Sequence, residues 1–346
     1  MRSASIEKPS QNNIRKPCAL KKGDTVGIVA PSSPAFEAGN LTFATDWLQK
    51  LGIKYKLGTH IGKSYSSYAG DDQARAEDFQ RLWDDDEVSA ILPLRGGAGA
   101  TRLLPLLDFS LFARKPKILV GFSDITALLV AIHQQSNLVT FHGPTLGLMF
   151  ETAYTHAYYQ KAVMSISPLG AVSDPPLEPW GSEYPPRRLV IAPGKGRGRL
   201  TGGCLTLIRG LMGTPYEMET AGRIVFLEDV DEEPHNIDRM LSQLVLAGKF
   251  DNAAGIIIGD CSGCRPGGSK RSILPLNMSV EAILKERLGK LGIPVIFGLK
   301  FGHTADKITL PLGVMASLDT AGGASNQVRF DIEEAACVDK TAILKK

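Results

Sequence analysis

No stretch of this chain approaches the ~18 consecutive apolar residues of a membrane-crossing helix, and its opening MRSASIEKPSQNNIRKPCALKKGD has no apolar segment behind its charges. No membrane partner is expected, and the expected compartment is the cytoplasm. Also missing is any long basic run or interleaving of aromatic with basic residues. The 39 Lys and Arg and 36 Asp and Glu leave a formal charge of +3 spread along the chain, which argues against a nucleic-acid partner. Cysteine is scarce and odd in number, with Cys18, Cys204, Cys261, Cys264 and Cys337 in 346 residues. That excludes a disulfide framework and leaves reduced thiols as the expectation. Cys261-Ser-Gly-Cys264 has the spacing of a metal-binding pair, but no second pair or neighbouring histidine pair completes four ligands. We therefore read it as the start of the loop CSGCRPGGSKRS and expect no metal. Neither GxGxxG in register nor GxxxxGK[ST] occurs, so no nucleotide cofactor is expected.

What is present is the composition of a globular protein, 43% hydrophobic and 22% charged, long enough for two domains. Residues 1 to about 20 are polar and read as a disordered lead-in. From Thr25 the chain alternates short β-branched runs (TVGIVA, VSAILPL, Pro116 to Phe122) with helix-periodic segments (FEAGNLTFATDWLQKLG, Ala74 to Asp85, Asp124 to Gln135). Such alternation predicts a doubly wound parallel sheet with functional loops at the carboxyl ends of its strands. Between 166 and 199 the texture turns to Pro, Gly and charge, and we place a linker there. The expected organisation is an N-terminal α/β domain over 21–165, the linker, and a C-terminal mixed α+β domain over 200–340. The latter has strands at Ile224 to Leu227, Ala254 to Gly259 and Val295 to Gly298, helices at Asn236 to Ala247 and Ser279 to Leu288, and an antiparallel or barrel-like sheet after Thr309.

Ser123, in KILVGFSDITALLVAIHQ, stands where an apolar run meets a helical one. A helix cap is the ordinary use of a serine there, and the same place also suits a nucleophile exposed on a sharp turn beside free helix N–H groups. Gly-Phe-Ser-Asp is not GxSxG, since Ile125 occupies the second glycine's place. Arg95-Gly96-Gly97-Ala98-Gly99 follows a strand, where glycines let peptide N–H groups face a cleft. RIVFLED brings Glu228 and Asp229 to a strand end, and either carboxylate could orient a histidine. Among six histidines, His303 in a short Gly-containing loop is the best base candidate; His142 in Phe-His-Gly-Pro is its competitor, with a structural role the expected one.

Four blocks in order, LRGGAGATRLLPLLD, GFSDITALLVAIHQQSNLVTFHGP, LEDVDEEPHNIDRML and FGHTADKITLPLG, resemble the LD-carboxypeptidase family of serine peptidases, over about Lys22 to Asp331. That family includes muropeptide LD-carboxypeptidases and microcin C self-immunity peptidases. The resemblance implies a triad of Ser123 as nucleophile, His303 as base and Glu228 as its orienting acid. It also implies an oxyanion hole from the N–H groups of Asp124 and Gly97. Arg95 and Arg102 are candidates for reading a terminal carboxylate. The implied activity is metal-independent release of a terminal D-amino acid, most simply D-Ala, from a murein tetrapeptide during cell-wall peptide recycling, by a homodimer. An immunity peptidase acting on a peptidyl or aminoacyl nucleotide is the alternative, with Trp180 and Tyr184 as candidate stacking residues. A non-catalytic two-domain binding protein is a second alternative, opposed by the filled triad positions. One departure from the family is visible: Gly202-Gly203-Cys204-Leu205 carries a thiol where the family usually has asparagine, so Cys204 is a candidate substrate contact.

Overall fold

Thr25-Val-Gly-Ile-Val, rich in β-branched residues, forms β1 (Thr25–Val29), and its last four residues are buried. The computed structural model describes residues 13–34, 38–147, 152–176, 188–265, 278–324 and 327–343. β1 lies between β2 (Lys54–Leu57) and β3 (Val88–Pro93), with β4 (Ile118–Gly121) and β5 (Thr140–His142) following β3, all parallel. Helices α1 (Ala38–Lys50), α2 (Asp72–Asp84), α3 (Phe109–Arg114) and α4 (Thr126–Ser136) fill the crossovers. Asp71 starts α2 by accepting the N–H of Ala74 at 2.8 Å. Because the chain leaves β1 for one side of the sheet and β3 for the other, a crevice opens at their carboxyl ends. The segments Pro31–Pro34 and Arg95–Gly99 begin there.

A second sheet has the order β6 (Gly170–Ala171), β14 (Arg329–Ile332), β13 (Met315–Asp319), β8 (Lys195–Cys204), β9 (Arg223–Glu228), β10 (Gly255–Gly259), β11 (Val295–Leu299), β7 (Leu189–Ala192). Its four strands β8 to β11 are parallel, and both flanks are antiparallel. Helices α5 (Ala153–Val163), α6 (Leu205–Gly210), α7 (Pro234–Leu246) and α8 (Val280–Leu288) accompany it in chain order. The protein is thus mixed α/β with two sheets, the first mainly parallel. Helix α4, TALLVAIHQQS, is buried on nearly every side, as its almost uninterrupted apolar sequence demands. Among the described residues no helix is long and apolar enough to cross a membrane.

Three details depart from expectation. The lead-in is docked from Arg15 onward: Arg15 bridges Leu138, Cys18 bridges Val338, and Ala19 and Leu20 are buried. A short apolar anchor sufficed to hold a polar segment; residues 1–12 lie outside the described residues. The segment 166–199 contributes β6, β7 and the first half of β8. The glycines of β8 looked like loop residues but serve close backbone approach: a Cβ on Gly198 would overlap Gly222 O, and one on Gly202 would overlap Phe226 O. Finally, β12 (Leu310–Leu312), from the far C-terminal stretch, joins the first sheet as antiparallel partner of β5.

Candidate active site

All four residues of β4 are buried, and the extended Phe122 carries the chain to a sharp reversal at Ser123, whose φ is +58°. A serine in left-handed backbone is strained, and such strain persists where neighbours hold it. A 3-10 turn over Ser123–Ile125 then runs into α4. Neither the turn nor α4 is capped by a side chain, so the Ser123 hydroxyl does not serve as the helix cap that its position suggested. The side chain is half-buried.

The neighbouring loops are tied to this turn through Asp124. Its buried Oδ2 accepts the Ser32 hydroxyl at 2.6 Å and the Ala100 N–H at 2.8 Å, joining the loops after β1 and β3 to the serine turn. Gly96 lies against the serine: a Cβ there would stand 3.0 Å from Ser123 Cβ, 3.2 Å from its Oγ and 3.4 Å from the Asp124 nitrogen. Gly97 has φ +117° and no room for a side chain beside Ser33, whose Oγ accepts the Ala98 N–H at 3.1 Å. The glycine loop after β3 is thus brought against Ser123 and the first peptide N–H of its turn.

Glu228 ends β9, is 1% exposed, and its Oε2 accepts two hydrogen bonds from His303, from the backbone N–H at 3.2 Å and from ring Nδ1 at 2.7 Å. With Nδ1 donating to a carboxylate, the neutral ring leaves Nε2 unprotonated and able to accept a proton. The ring's other restraint is Phe122, at 4.8 Å between centroids and an angle of 63°. The imidazole is therefore clasped between the acid of the second sheet and the residue preceding Ser123. Gly302 makes this possible, since its φ is +75° and a Cβ there would collide with the Glu228 carboxylate. The glycine loop stood out in the sequence, but the contact of Gly302 with Glu228 did not, because it arises only when two distant segments pack together.

Cys204 is the last residue of β8 and stands in register with Glu228. Its N–H donates to Thr126 Oγ1 at 3.2 Å, pinning the second sheet to the first turn of α4. The buried thiol points at Asp229 Oδ1, 3.9 Å away, and burial pushes it well above the ordinary thiol range. Asp229, the other carboxylate of the pair, accepts the N–H and hydroxyl of Thr206 at 2.9 and 2.8 Å, and burial raises its pKa. Its partners are structural, which separates it from Glu228. Arg102 is exposed and its guanidinium grips Asp72 at 2.6 to 2.9 Å while lying over the Tyr68 ring. Arg95, at the carboxyl end of β3, is half-buried with Nη1 3.5 Å from Pro34 O. Cys261 and Cys264 border the loop after β10, and among the described residues no group of three or more His, Cys, Asp or Glu is gathered as a metal site. Trp180 and Tyr184 lie outside the described residues.

Comparison with known proteins bears on this geometry. The model of the LD-carboxypeptidase N-terminal domain matches residues 26–143, and that of the LD-carboxypeptidase C-terminal domain matches residues 197–318. A probable murein peptide carboxypeptidase of Bacillus subtilis is 40% identical over 310 residues, covering 88% of this chain and 92% of its own. Among solved structures, MccF in complex with glutamyl sulfamoyl guanosine superposes with a TM-score of 0.81 at 28% identity, over 93% of this chain and 99% of that one. A muramoyltetrapeptide carboxypeptidase from Oxalobacter formigenes superposes with a TM-score of 0.74 at 28% identity, over 90% of this chain and 99% of that one.

Proposed function

Since the chain belongs to the LD-carboxypeptidase family of serine peptidases, we propose that it hydrolyses the bond between an L-configured residue and the C-terminal D-Ala of murein tetrapeptides. The observation that carries this reading is the clasp of His303 between Glu228 Oε2 and the ring of Phe122, next to a serine in strained backbone. In the proposed reaction His303 Nε2 removes the proton of Ser123 as Oγ attacks the scissile carbonyl carbon. Glu228 holds the ring in its Nδ1–H tautomer and balances the imidazolium charge. The N–H groups of Asp124 and Gly97 receive the oxyanion. The C–N bond then breaks as His303 returns the proton to the leaving amine of D-Ala, and water, activated by the same ring, releases the acyl group from Ser123. We assign the terminal carboxylate of the substrate to Arg95, next to Gly96 in the crevice loop, because the Arg102 guanidinium is taken up by Asp72.

Incubation with a murein tetrapeptide and assay of free D-Ala, for wild type and Ser123→Ala, tests the reading. Release that disappears in the variant supports it; release that survives the substitution overturns it. A second reading, cleavage of a peptidyl or aminoacyl nucleotide, is favoured by the superposition on MccF. Offering both substrates to the same preparation decides between them by kcat/KM. The family likeness further leads us to propose a cytoplasmic homodimer that takes part in recycling of cell-wall peptides, read out by cell fractionation and light scattering.

A further inference from the structure

His142 ends β5, the strand between those that lead to the nucleophile and away from the base: it is in register with Gly121 of β4 on one side and Leu310 of β12 on the other. Its side chain is fully buried among the rings of Phe122, Phe226 and Phe301, at centroid distances of 6.3, 5.4 and 5.8 Å. Within this apolar cage its Nε2 faces Glu228 Oε1 across 3.9 Å. Neither His142 nitrogen and not Glu228 Oε1 has a hydrogen-bond partner among the described residues, although Oε2 of the same carboxylate carries both bonds to His303. Polar atoms buried without partners are costly, and two that face one another are the cheapest remedy for each other. Burial pushes the His142 imidazole down to about 4, against the opposite pull of the Glu228 carboxylate. The ring is thus neutral at physiological pH and offers a single N–H.

We infer that His142 is a positioning residue for the Glu228–His303 pair: its Nε2–H closes on Glu228 Oε1 when His303 becomes charged, holding Oε2 in line with Nδ1. Closure by about 1 Å gives an ordinary hydrogen bond, and hydrogen bonds of catalytic groups commonly tighten only with substrate bound. A neutral donor suits the task, because a second cation behind the acid would oppose the positive charge that develops on His303. The role is distinct from that of the triad, since His142 touches neither substrate nor the transferred proton. The inference rests on the peptidase reading above.

The test compares wild type, His142→Leu and His142→Gln, the glutamine amide standing in for Nε2–H. Three quantities are measured: D-Ala release, the rate at which a fluorophosphonate labels Ser123, and the low-field proton resonance of His303 Nδ1–H. Loss of a hydrogen bond to a charged group predicts a fall in kcat and labelling rate of about 10- to 100-fold in the leucine variant with KM unchanged. Glutamine should recover most of it, and the low-field proton should move in the leucine variant alone. Leucine and glutamine variants that both match wild type, or that lose rate together in step with a lowered Tm, overturn the inference. If labelling and the proton resonance follow His142 as described while no tetrapeptide is cleaved, the substrate reading fails and the positioning role stands.

Discussion

Glu228 Oε2 accepts both the main-chain N–H and the ring Nδ1–H of His303, so one oxygen fixes the position of the residue and the orientation of its imidazole. The double contact requires Gly302 to have no side chain. Gly302→Ala must displace either the loop or the carboxylate, and its left-handed backbone adds strain. A misplacement of this size near the reacting atoms costs about 100-fold in rate. Steady-state kinetics on the variant should show kcat falling by about that factor; unchanged kcat would mean the clasp is dispensable.

Ser123 yields a prediction in which stability and activity separate. Alanine and glycine at position 123 both remove the hydroxyl and should both abolish turnover. Only glycine tolerates φ +58° without strain. Ser123→Gly should therefore be more stable than Ser123→Ala by about 1 kcal/mol, measured by urea denaturation. Equal midpoints would show that the turn carries no strain worth relieving.

Thiol chemistry should leave the enzyme untouched. Burial holds the Cys204 thiol well above the normal range, so it has no appreciable thiolate at neutral pH, and it faces the Asp229 carboxylate rather than an imidazole. Treatment of the native protein with iodoacetamide at pH 7 should leave Cys204 unmodified by mass spectrometry and the activity intact. Activity lost in proportion to Cys204 labelling would move the nucleophile to that thiol.

Acid should weaken the fold through two histidines. His133 Nδ1 donates to Leu138 O at 2.9 Å while Nε2 receives Arg223 Nη1 at 3.3 Å, an arrangement that only the neutral ring can make. Burial, with the Arg223 charge, lowers its pKa to about 4, and burial lowers that of His142 to about 4. Unfolded, both titrate near 6.5. The depressed folded values mean that stability is fully present above about pH 6.5 and is lost as pH falls from there through about 4. At pH 5 the loss amounts to about 2 kcal/mol per histidine. Urea midpoints at pH 7.5 and pH 5 measure it, and His142→Gln should remove about half of this histidine-linked loss.

Much of the fold was legible because apolar periodicity and strand-end residues announced it. TVGIV, VSAILP and RIVFLE read as buried strands, and the helix after Ser123 followed from the helix-periodic run beyond it. The triad is what the family resemblance implies, while Ser123 stood out at its strand-to-helix junction, His303 in its Gly-containing loop and Glu228, with Asp229, at a strand end. Less legible were elements whose cause lies elsewhere in the chain. β2, KYKL, is a short, mostly exposed edge strand whose two apolar residues stay largely in solvent, and β8 hides a ten-residue strand in KGRGRLTGGC because its glycines answer to the backbones of neighbouring strands. Arg102 became a candidate through nearness in sequence to the glycine loop, and its pairing with Asp72, thirty residues away, had no sign in the sequence. His142 gave no local sign of its relation to Glu228, since the two meet only through tertiary packing.

The three residues of β12 have a consequence for how the protein is made. They complete an edge of the first sheet, yet on the ribosome they emerge after nearly every other strand, shortly behind His303. Until then β5 presents an unpaired edge, a known invitation to association between chains. The same late strand that finishes the sheet follows His303, so a partly synthesised chain carries the serine turn before the histidine proposed as its base has been made. On the proposed mechanism a shortened product ending before His303 would leave Ser123 without a base, and it would be prone to borrow the missing strand from another copy.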